Sequence, residues 1–565
     1  MTSLNGPSPI ATPSALPPAP WRGAERLIPS RWRSALAITL VVGALCLFDG
    51  NLDSNEAGKL ALARQAVDPG WIPADWYLND SQGYQWLFQQ LSGRIVAWLG
   101  FGPGSLLVRL LGYGLWGWAL AGVTVPLGLP PALAALAAGL FSLQQGVLAA
   151  EWMVGSAEPK TFAYAALLLA YAAWRQRRWW ACGLASGLAC SFHLLVGGFG
   201  VLALAGLTVL RGGGPWSWRR LGPWLWGCGL AGLPAGLAVA EQLLGRATAP
   251  LEPAGAALPP ASWIYVVLRN PHHLLPASWS AGDWARLALM LGLFSLAAAA
   301  AGVGRPGRDR QRQASRDLAL WVVMSWPLAL LGLLAGVGVS ASAAEAPAGD
   351  TPALLLLSLY PFRVADTLLM LGLWLLLAAA LARWLARGPL GTAGRRRLQR
   401  GLVGLALLLS LAGLLRKLPQ AAARGSRGFV DTPERAELYA WIRSRSAPSA
   451  LVVAPPTGFE DLALQTGRPG FVQFKQVPTA SSALHIWFMR LTALAGGEAG
   501  VWRGPGGWEA SDRLMRAYGG LSPAALAALA ERHGATLLIT ATPQPGPPGW
   551  RPAARNGAWT LWQRP

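Results

Sequence analysis

Residues 47–65 read LFDGNLDSNEAGKLALARQ. A hydrophobic run ends at Phe48, three carboxylates follow at Asp49, Asp53 and Glu56, and a helix-like pattern then resumes. Upstream, Arg22, Arg26, Arg31 and Arg33 precede ALAITLVVGALCLF (35–48). A helix from Pro29 to Phe48, its arginines snorkelling, reaches the ~20 residues that a bilayer crossing needs. No A-x-A-like cleavage site follows, so the run reads as an uncleaved first span. The three acids then stand just beyond a membrane.

Composition supports that frame. Charged residues are 13% of the chain, against about 25% in soluble domains. Apolar residues make up 53%, and 30 tryptophans suit repeated meetings with lipid headgroups. The chain reads as an α-helical polytopic membrane protein. Its net charge of +21 points to topology rather than to nucleic acid. Segments 1–33, 175–178, 211–220, 304–317 and 383–400 hold 21 of the 34 basic residues before 431 but only 3 of the 17 acids. That asymmetry is the positive-inside pattern, and it places these segments in the cytosol. Cys46, Cys182, Cys190 and Cys228 all lie in apolar runs, without zinc-site or disulfide spacing.

Residues 1–28 are proline-rich and read as a disordered cytosolic tail. After the first span, ten more fall near 104–125, 131–149, 160–174, 179–192, 194–210, 221–240, 286–303, 318–339, 364–382 and 401–417. The region 29–430 is then a membrane domain of about eleven spans, with its first outer loop at 49–103. An odd count puts residues 431–565 outside. There, short apolar runs at 451–456, 471–474, 536–540 and 559–562 alternate with helical patterns. An outer-face α/β domain is predicted, with no phosphate-loop or nucleophile-elbow signature.

Four outer stretches hold polar residues with chemical potential. In the first loop, Asp53-Ser54-Asn55-Glu56 has the spacing of a capping box, with Asp53 as N-cap. Capping and catalysis are compatible uses of a carboxylate fixed there. A helix over 82–99 follows, with Tyr84, Leu87, Phe88, Leu91, Ile95 and Trp98 on one face, as in an interfacial amphipathic helix. The second stretch, AAEWMVGSAEPKTFAY (149–164), offers Glu151, which reads as a solvated loop charge, and Glu158 and Lys160 beside the membrane. In the third, Arg269, His272 and His273 could grip a phosphate through charge-assisted hydrogen bonds. In the fourth, SLYPFRVAD (358–366), Arg363 and Asp366 open a span and can pair at i,i+3. His193, between two apolar stretches, reads as a packing residue.

Together these features resemble the GT-C superfamily of polytopic membrane glycosyltransferases. The resemblance rests on the acidic first outer loop, E-P-K-x-F-A-Y (158–164), R-N-P-H-H (269–273), Y-P-F-R (360–363) and an outer C-terminal domain. It implies hexosyl or pentosyl transfer from a polyprenyl-phosphate-linked sugar to a lipid, glycan or protein acceptor. The setting would be the outer face of a bacterial cytoplasmic membrane. It also implies a catalytic carboxylate in the first loop, often within an adjacent Asp-Glu pair. Here Asn55 precedes Glu56, which leaves Asp53, Glu56 and Asp49 as candidates. Glu158, Lys160, Arg269, His272, His273 and Arg363 would hold the substrate, and a divalent cation, Mg or Mn, could join Glu158. A transporter or lipid flippase, or a non-catalytic membrane scaffold, is the alternative. No internal repeat of the kind common in transporters is present.

Overall fold

Apolar runs long enough to cross a bilayer have to satisfy their backbone groups internally, and the helix is the local way to do so. A computed structural model describes residues 24–48, 53–80, 85–149, 151–211, 218–248, 258–305, 309–340, 346–387, 391–424 and 433–565. Helix α1 (Ala24–Cys46) leads to a layer of shorter helices: α2 (Asp53–Val67), α3 (Trp76–Asp80) and α4 (Trp86–Leu99). Next come α5 (Phe101–Thr124), α6 (Pro131–Leu143), α7 (Pro159–Arg175), α8 (Trp179–Phe192), α9 (Leu194–Arg211) and α10 (Trp218–Thr248). Short helices α11 (Ala261–Trp263) and α12 (Pro271–Leu274) flank a π-helical turn, Ile264–Arg269. Helices α13 (Ala281–Ala300), α14 (Arg310–Gly336), α15 (Pro352–Ser358), α16 (Arg363–Arg387) and α17 (Thr392–Arg424) complete the bundle.

Each of the eleven expected spans coincides with a helix, but they are not equal. Among the described residues, seven helices are long and apolar enough to cross a membrane: α5, α9, α13, α14, α16 and the apolar stretches of α10 and α17. Helices α6, α7 and α8 have 13, 17 and 14 residues, about 20–26 Å at 1.5 Å per residue, against a ~30 Å hydrocarbon core. The run expected over 131–149 stops as a helix at Leu143. In the apolar stretches of α13 and α17, only 17% and 11% of residues are buried. Their outward leucines form surfaces of the kind that lipid covers. The protein is therefore an α-helical multi-pass membrane protein.

Residues 433–565 form the α/β domain. It comprises α18 (Pro433–Arg445), β1 (Val452–Val453), α19 (Leu462–Thr466), α20 (Ser481–Leu494), α21 (Trp508–Gly519), α22 (Pro523–Arg532), β2 (Leu537–Ala541), β3 (Arg551–Arg555) and β4 (Trp559–Gln563). The sheet order is β1-β2-β4-β3. Val452 pairs in parallel with Leu537, and Ile539 lies antiparallel to Leu561. Tyr439, Ile442, Phe459, Ile539 and Leu561 pack under it. The run 471–474, expected as a strand, is not one. It meets β1 only through a bridge at Gly470 and then turns to the membrane region. Strand β3 went unseen because RPAAR has the exposed, arginine-ended pattern of a protected edge.

The two parts are joined largely through backbone. Trp76 Nε1 donates to the Phe471 carbonyl at 2.7 Å, and Gly470 N–H donates to Asp75 Oδ2 at 2.9 Å. Gly507 N–H donates to the Leu268 carbonyl at 2.7 Å. Gly506 allows that approach, because a Cβ there would stand 1.8 Å from the Val267 oxygen.

In α4 the buried stripe is Phe88, Gln89, Ser92, Gly93 and Val96. Leu91 and Trp98, by contrast, are 49% and 82% exposed. The small and polar face meets α2, and the apolar face looks outward, as an interfacial helix requires. Tyr84 lies outside the described residues. A Cβ on Gly93 would stand 2.1 Å from the Ala63 carbonyl oxygen of α2. Gly93→Ala should therefore push α2 and α4 apart and cost about 1–3 kcal/mol. A lower Tm of the purified protein reads this, and an unchanged Tm would refute the close approach.

Candidate functional site

The described residues of segment 144–158, between α6 and α7, form no helix or strand, so their amides need partners from elsewhere. Side chains supply them. Gln145 Oε1 accepts from Met153 N–H and Val154 N–H at 2.8 and 3.0 Å. Asp366 accepts from the N–H groups of Val147, Leu148 and Ala149 at 2.8, 3.1 and 3.2 Å. Glu56 Oε2 accepts from Ala157 N–H at 2.8 Å. A Cβ on Gly146 would stand 2.5 Å from Asp366 Oδ2, so this position must be bare.

The loop presents Glu151 to a ring of cations. Arg363 donates to Glu151 Oε1 from Nε at 2.8 Å and from Nη2 at 2.7 Å. Lys160 Nζ lies 3.3 Å from Glu151 Oε2, 3.6 Å from Glu158 Oε2 and 3.2 Å from the centre of the Trp152 ring. Arg363 Nη1 lies 3.2 Å from His193 Nε2, which must accept, since a guanidinium only donates. Lys59 of α2 is close enough to Glu158 and Arg363 to feel both charges. Burial alone would raise the Glu151 carboxyl, but Arg363 and Lys160 together hold it well below the usual carboxylate range.

Tyr360 closes this cluster from one side. Its backbone lies in the left-handed region at φ 58°, which costs a bulky residue about 1–2 kcal/mol. The guanidinium of Arg363 sits 3.9 Å over its ring, and its hydroxyl meets that of Tyr265 at 3.4 Å. His273 Nδ1 donates to the Ala149 carbonyl at 2.5 Å, which fixes its tautomer. Burial is the main reason that His273 is lowered to about 4 and His272 to about 3. The neighbouring His273 adds to the lowering of His272.

The expected residues divide into groups. Glu158, Lys160 and Arg363 meet in one cluster, with His273 at its edge. Arg269 turns away: Nε donates to the Phe474 carbonyl at 2.9 Å and Nη2 to that of Lys475 at 3.4 Å, tying the π-helical turn to the α/β domain. His272 also faces that domain, its ring 5.7 Å from Trp508. Arg363 and Asp366 do not pair with each other; each takes a partner in the loop.

Glu56 is fully buried. Arg109 holds its Oε2 from Nε at 2.8 Å and Nη2 at 2.7 Å, and Ser105 donates to Oε1. Its carboxylate therefore joins α2, α5 and the loop. Asp49 and the side chain of Asp53 lie outside the described residues. No group of three or more His, Cys, Asp or Glu residues among the described residues could hold a metal ion, and Lys160 occupies the place beside Glu158.

Sequence reasoning missed Glu151, His193, Lys59, Tyr360 and Arg109. Arg109 had a usable signal, as a lone charge inside an apolar span. Glu151 had none, because its partner Arg363 lies 212 residues away.

Fold and site together define a multi-pass membrane protein with a buried charged cluster at the head of its bundle and an α/β domain above it. Residues 434–494 match a family model described as "Domain of unknown function (DUF6798)". No curated protein matches the chain. Among solved structures, the chain is similar to ArnT from Cupriavidus metallidurans in the apo state. That match has 12% identity, covers 96% of this chain and 98% of that one, and gives a TM-score of 0.44. The same protein bound to undecaprenyl phosphate gives 0.42 over the same shares, also at 12% identity. An archaeal oligosaccharyltransferase, AglB from Archaeoglobus fulgidus in complex with an inhibitory peptide and a dolichol-phosphate, is 12% identical. It covers 92% of this chain and 70% of that one, with a TM-score of 0.44. At this identity and these scores, roles have to rest on the residues themselves.

Two outcomes follow from the geometry. Glu56→Gln leaves Arg109 buried without its counter-charge and should cost about 3–5 kcal/mol. Thermal unfolding measures this, and Glu56→Leu combined with Arg109→Met should recover part of the loss. The histidine pKa values fall on folding, so the unfolded chain takes up protons first. Their contribution to stability is full above about 6.5 and is lost as pH falls towards about 4 for His273 and about 3 for His272. The Tm should drop over that window, and less so in His273→Gln.

Proposed function

We propose that this protein transfers a sugar from a polyprenyl-phosphate donor to an acceptor hydroxyl at the outer face of a bacterial cytoplasmic membrane, its N-terminus in the cytosol. The observation that carries this reading is the buried cluster of Lys59, Lys160 and Arg363 around Glu151 and Glu158. Among the described residues, Lys59, Lys160 and Arg363 stand beside Glu151 and Glu158 at the head of the bundle. Such cations suit the phosphate of a lipid-linked donor.

In the reaction, the acceptor oxygen attacks the sugar C1 as the C1–O bond to phosphate breaks. The bonding electrons leave with the phosphate, whose growing charge is met by Arg363, Lys160 and Lys59. The hydroxyl proton passes to a first-loop carboxylate. Glu56 is an unsuitable acceptor because both its oxygens are engaged. Asp53, three residues before Glu56 in α2, takes the role, and Asp49 is the second candidate. Glu56 positions that helix. A divalent ion would need donors from Asp49 or Asp53, because Glu158 already faces Lys160.

Purified full-length protein, supplied with radiolabelled polyprenyl-phosphate sugars and a panel of lipid and glycan acceptors, tests the reading. Asp53→Asn should lower kcat on the order of 10²–10⁴-fold with an unchanged Tm. Arg363→Lys, which keeps the charge but loses the fork, should lower it about 10²–10³-fold. Full-rate transfer by both Asp53→Asn and Asp49→Asn would remove the first-loop base. Labelled lipid crossing proteoliposomes without any transfer would favour a lipid transporter instead.

A further inference from the structure

At the end of α16 remote from Arg363, the bundle contains a second polar site that transfer does not use. A cavity of about 280 Å³ is lined by Arg305, Arg312, Arg383, Trp384 and Arg387, with Gly302 at its side. It lies between the end of α13, the start of α14 and the last turns of α16. From Arg363 to Arg383 the helix rises about 30 Å, roughly the thickness of the hydrocarbon core. The cavity and the Glu151 cluster thus sit at opposite membrane interfaces.

Charge in this cavity is unbalanced. Four guanidinium groups line it, and Asp309 is shared loosely between two of them, 3.6 Å from Arg312 Nε and 3.5 Å from Arg387 Nη2. Asp317, two turns further along α14, is taken by Arg175 at 2.9 Å and Arg211 at 2.7 Å. Arg383 is only 6% exposed. Its Nη1 donates to Ser315 Oγ at 3.2 Å, while Nη2 has no hydrogen-bond partner among the described residues. A buried cation with an unmet donor is costly, and an anion in the cavity would satisfy it.

We propose that this cavity binds the phosphate group of an anionic lipid headgroup, clamping α13, α14 and α16 together. Basic pockets between membrane helices bind such headgroups. The surroundings favour a lipid over soluble phosphate. Trp384 is 57% exposed beside the cavity, a residue type suited to the headgroup level. Leu296 of α13 and Leu377 of α16 are 68% and 39% exposed, leaving apolar surface for acyl chains.

Native mass spectrometry of the full-length protein in detergent, titrated with phosphatidylglycerol, phosphatidylcholine or inorganic phosphate, tests this. Phosphatidylglycerol should bind at least about tenfold more tightly than phosphatidylcholine. Arg312→Ala combined with Arg387→Ala should weaken it on the order of thirtyfold. Arg312→Lys with Arg387→Lys should keep most of the binding, and Arg310→Ala, outside the cavity, should keep all of it. Equal binding of the two lipids, or an unchanged affinity in the folded double alanine variant, would overturn the proposal. Displacement of phosphatidylglycerol by equimolar inorganic phosphate would also overturn it, by assigning the cavity to a soluble anion.

Discussion

The first turn of α16 brings opposite charges to a single segment. Asp366 gathers three successive amides of the 144–158 loop, and Arg363, one turn earlier, draws in the carboxylate of Glu151. Asp366 is buried and the Arg363 side chain nearly so, and each has its main partner in that loop. Three amides around one carboxylate offset part of its desolvation without a cation, which leaves the guanidinium for Glu151. The loop in turn delivers Lys160 and Glu158 at its exit, where Pro159 starts α7 with its φ already set for a helix. The cluster therefore has an internal order of dependence. Asp366 shapes the loop, the loop places Glu151, and Glu151 orients the cations that can meet a substrate.

This order explains how far the sequence could be read. Hydropathy marked eleven apolar runs that each coincide with a helix, because that signal is local. Of the polar residues that the motifs single out, Glu158, Lys160 and Arg363 meet in one cluster. The pairings themselves were not legible. Arg363 and Asp366 have ideal i,i+3 spacing for each other, yet partners 212 and about 218 residues away win because those are the groups buried with them. Glu56 has the spacing of a helix cap, and nothing in that spacing shows that Arg109 of another helix holds its Oε2 through two nitrogens. Arg269 and His272 looked like phosphate ligands because their residue types suit that role, but the α/β domain claims them. Local spacing proposes a partner, and burial decides between partners.

Strain is concentrated at the same place. Tyr360 keeps a left-handed backbone directly before Pro361, stacked on the guanidinium that holds Glu151. A π-helical turn carries Tyr265 to its hydroxyl. Irregular backbone of both kinds is tolerated when surrounding contacts over-determine it, and both kinds recur at functional sites. Here the two irregularities meet through a pair of phenols next to the charged cluster.

The joint between the α/β domain and the first loop has a consequence for biosynthesis. Trp76 and Asp75 receive their partners at Phe471 and Gly470 only after 395 further residues have been made. Helices α2 to α4 thus emerge with the first spans and wait beside the bilayer while the rest of the bundle is inserted. The outward apolar face of α4 gives this early layer a lipid surface to rest on in the meantime. The loop that presents Glu151 is likewise unclamped until α16 arrives. Assembly of the cluster therefore waits for α16, and the joint to the α/β domain waits longer still, until residues 470 and 471 have been made.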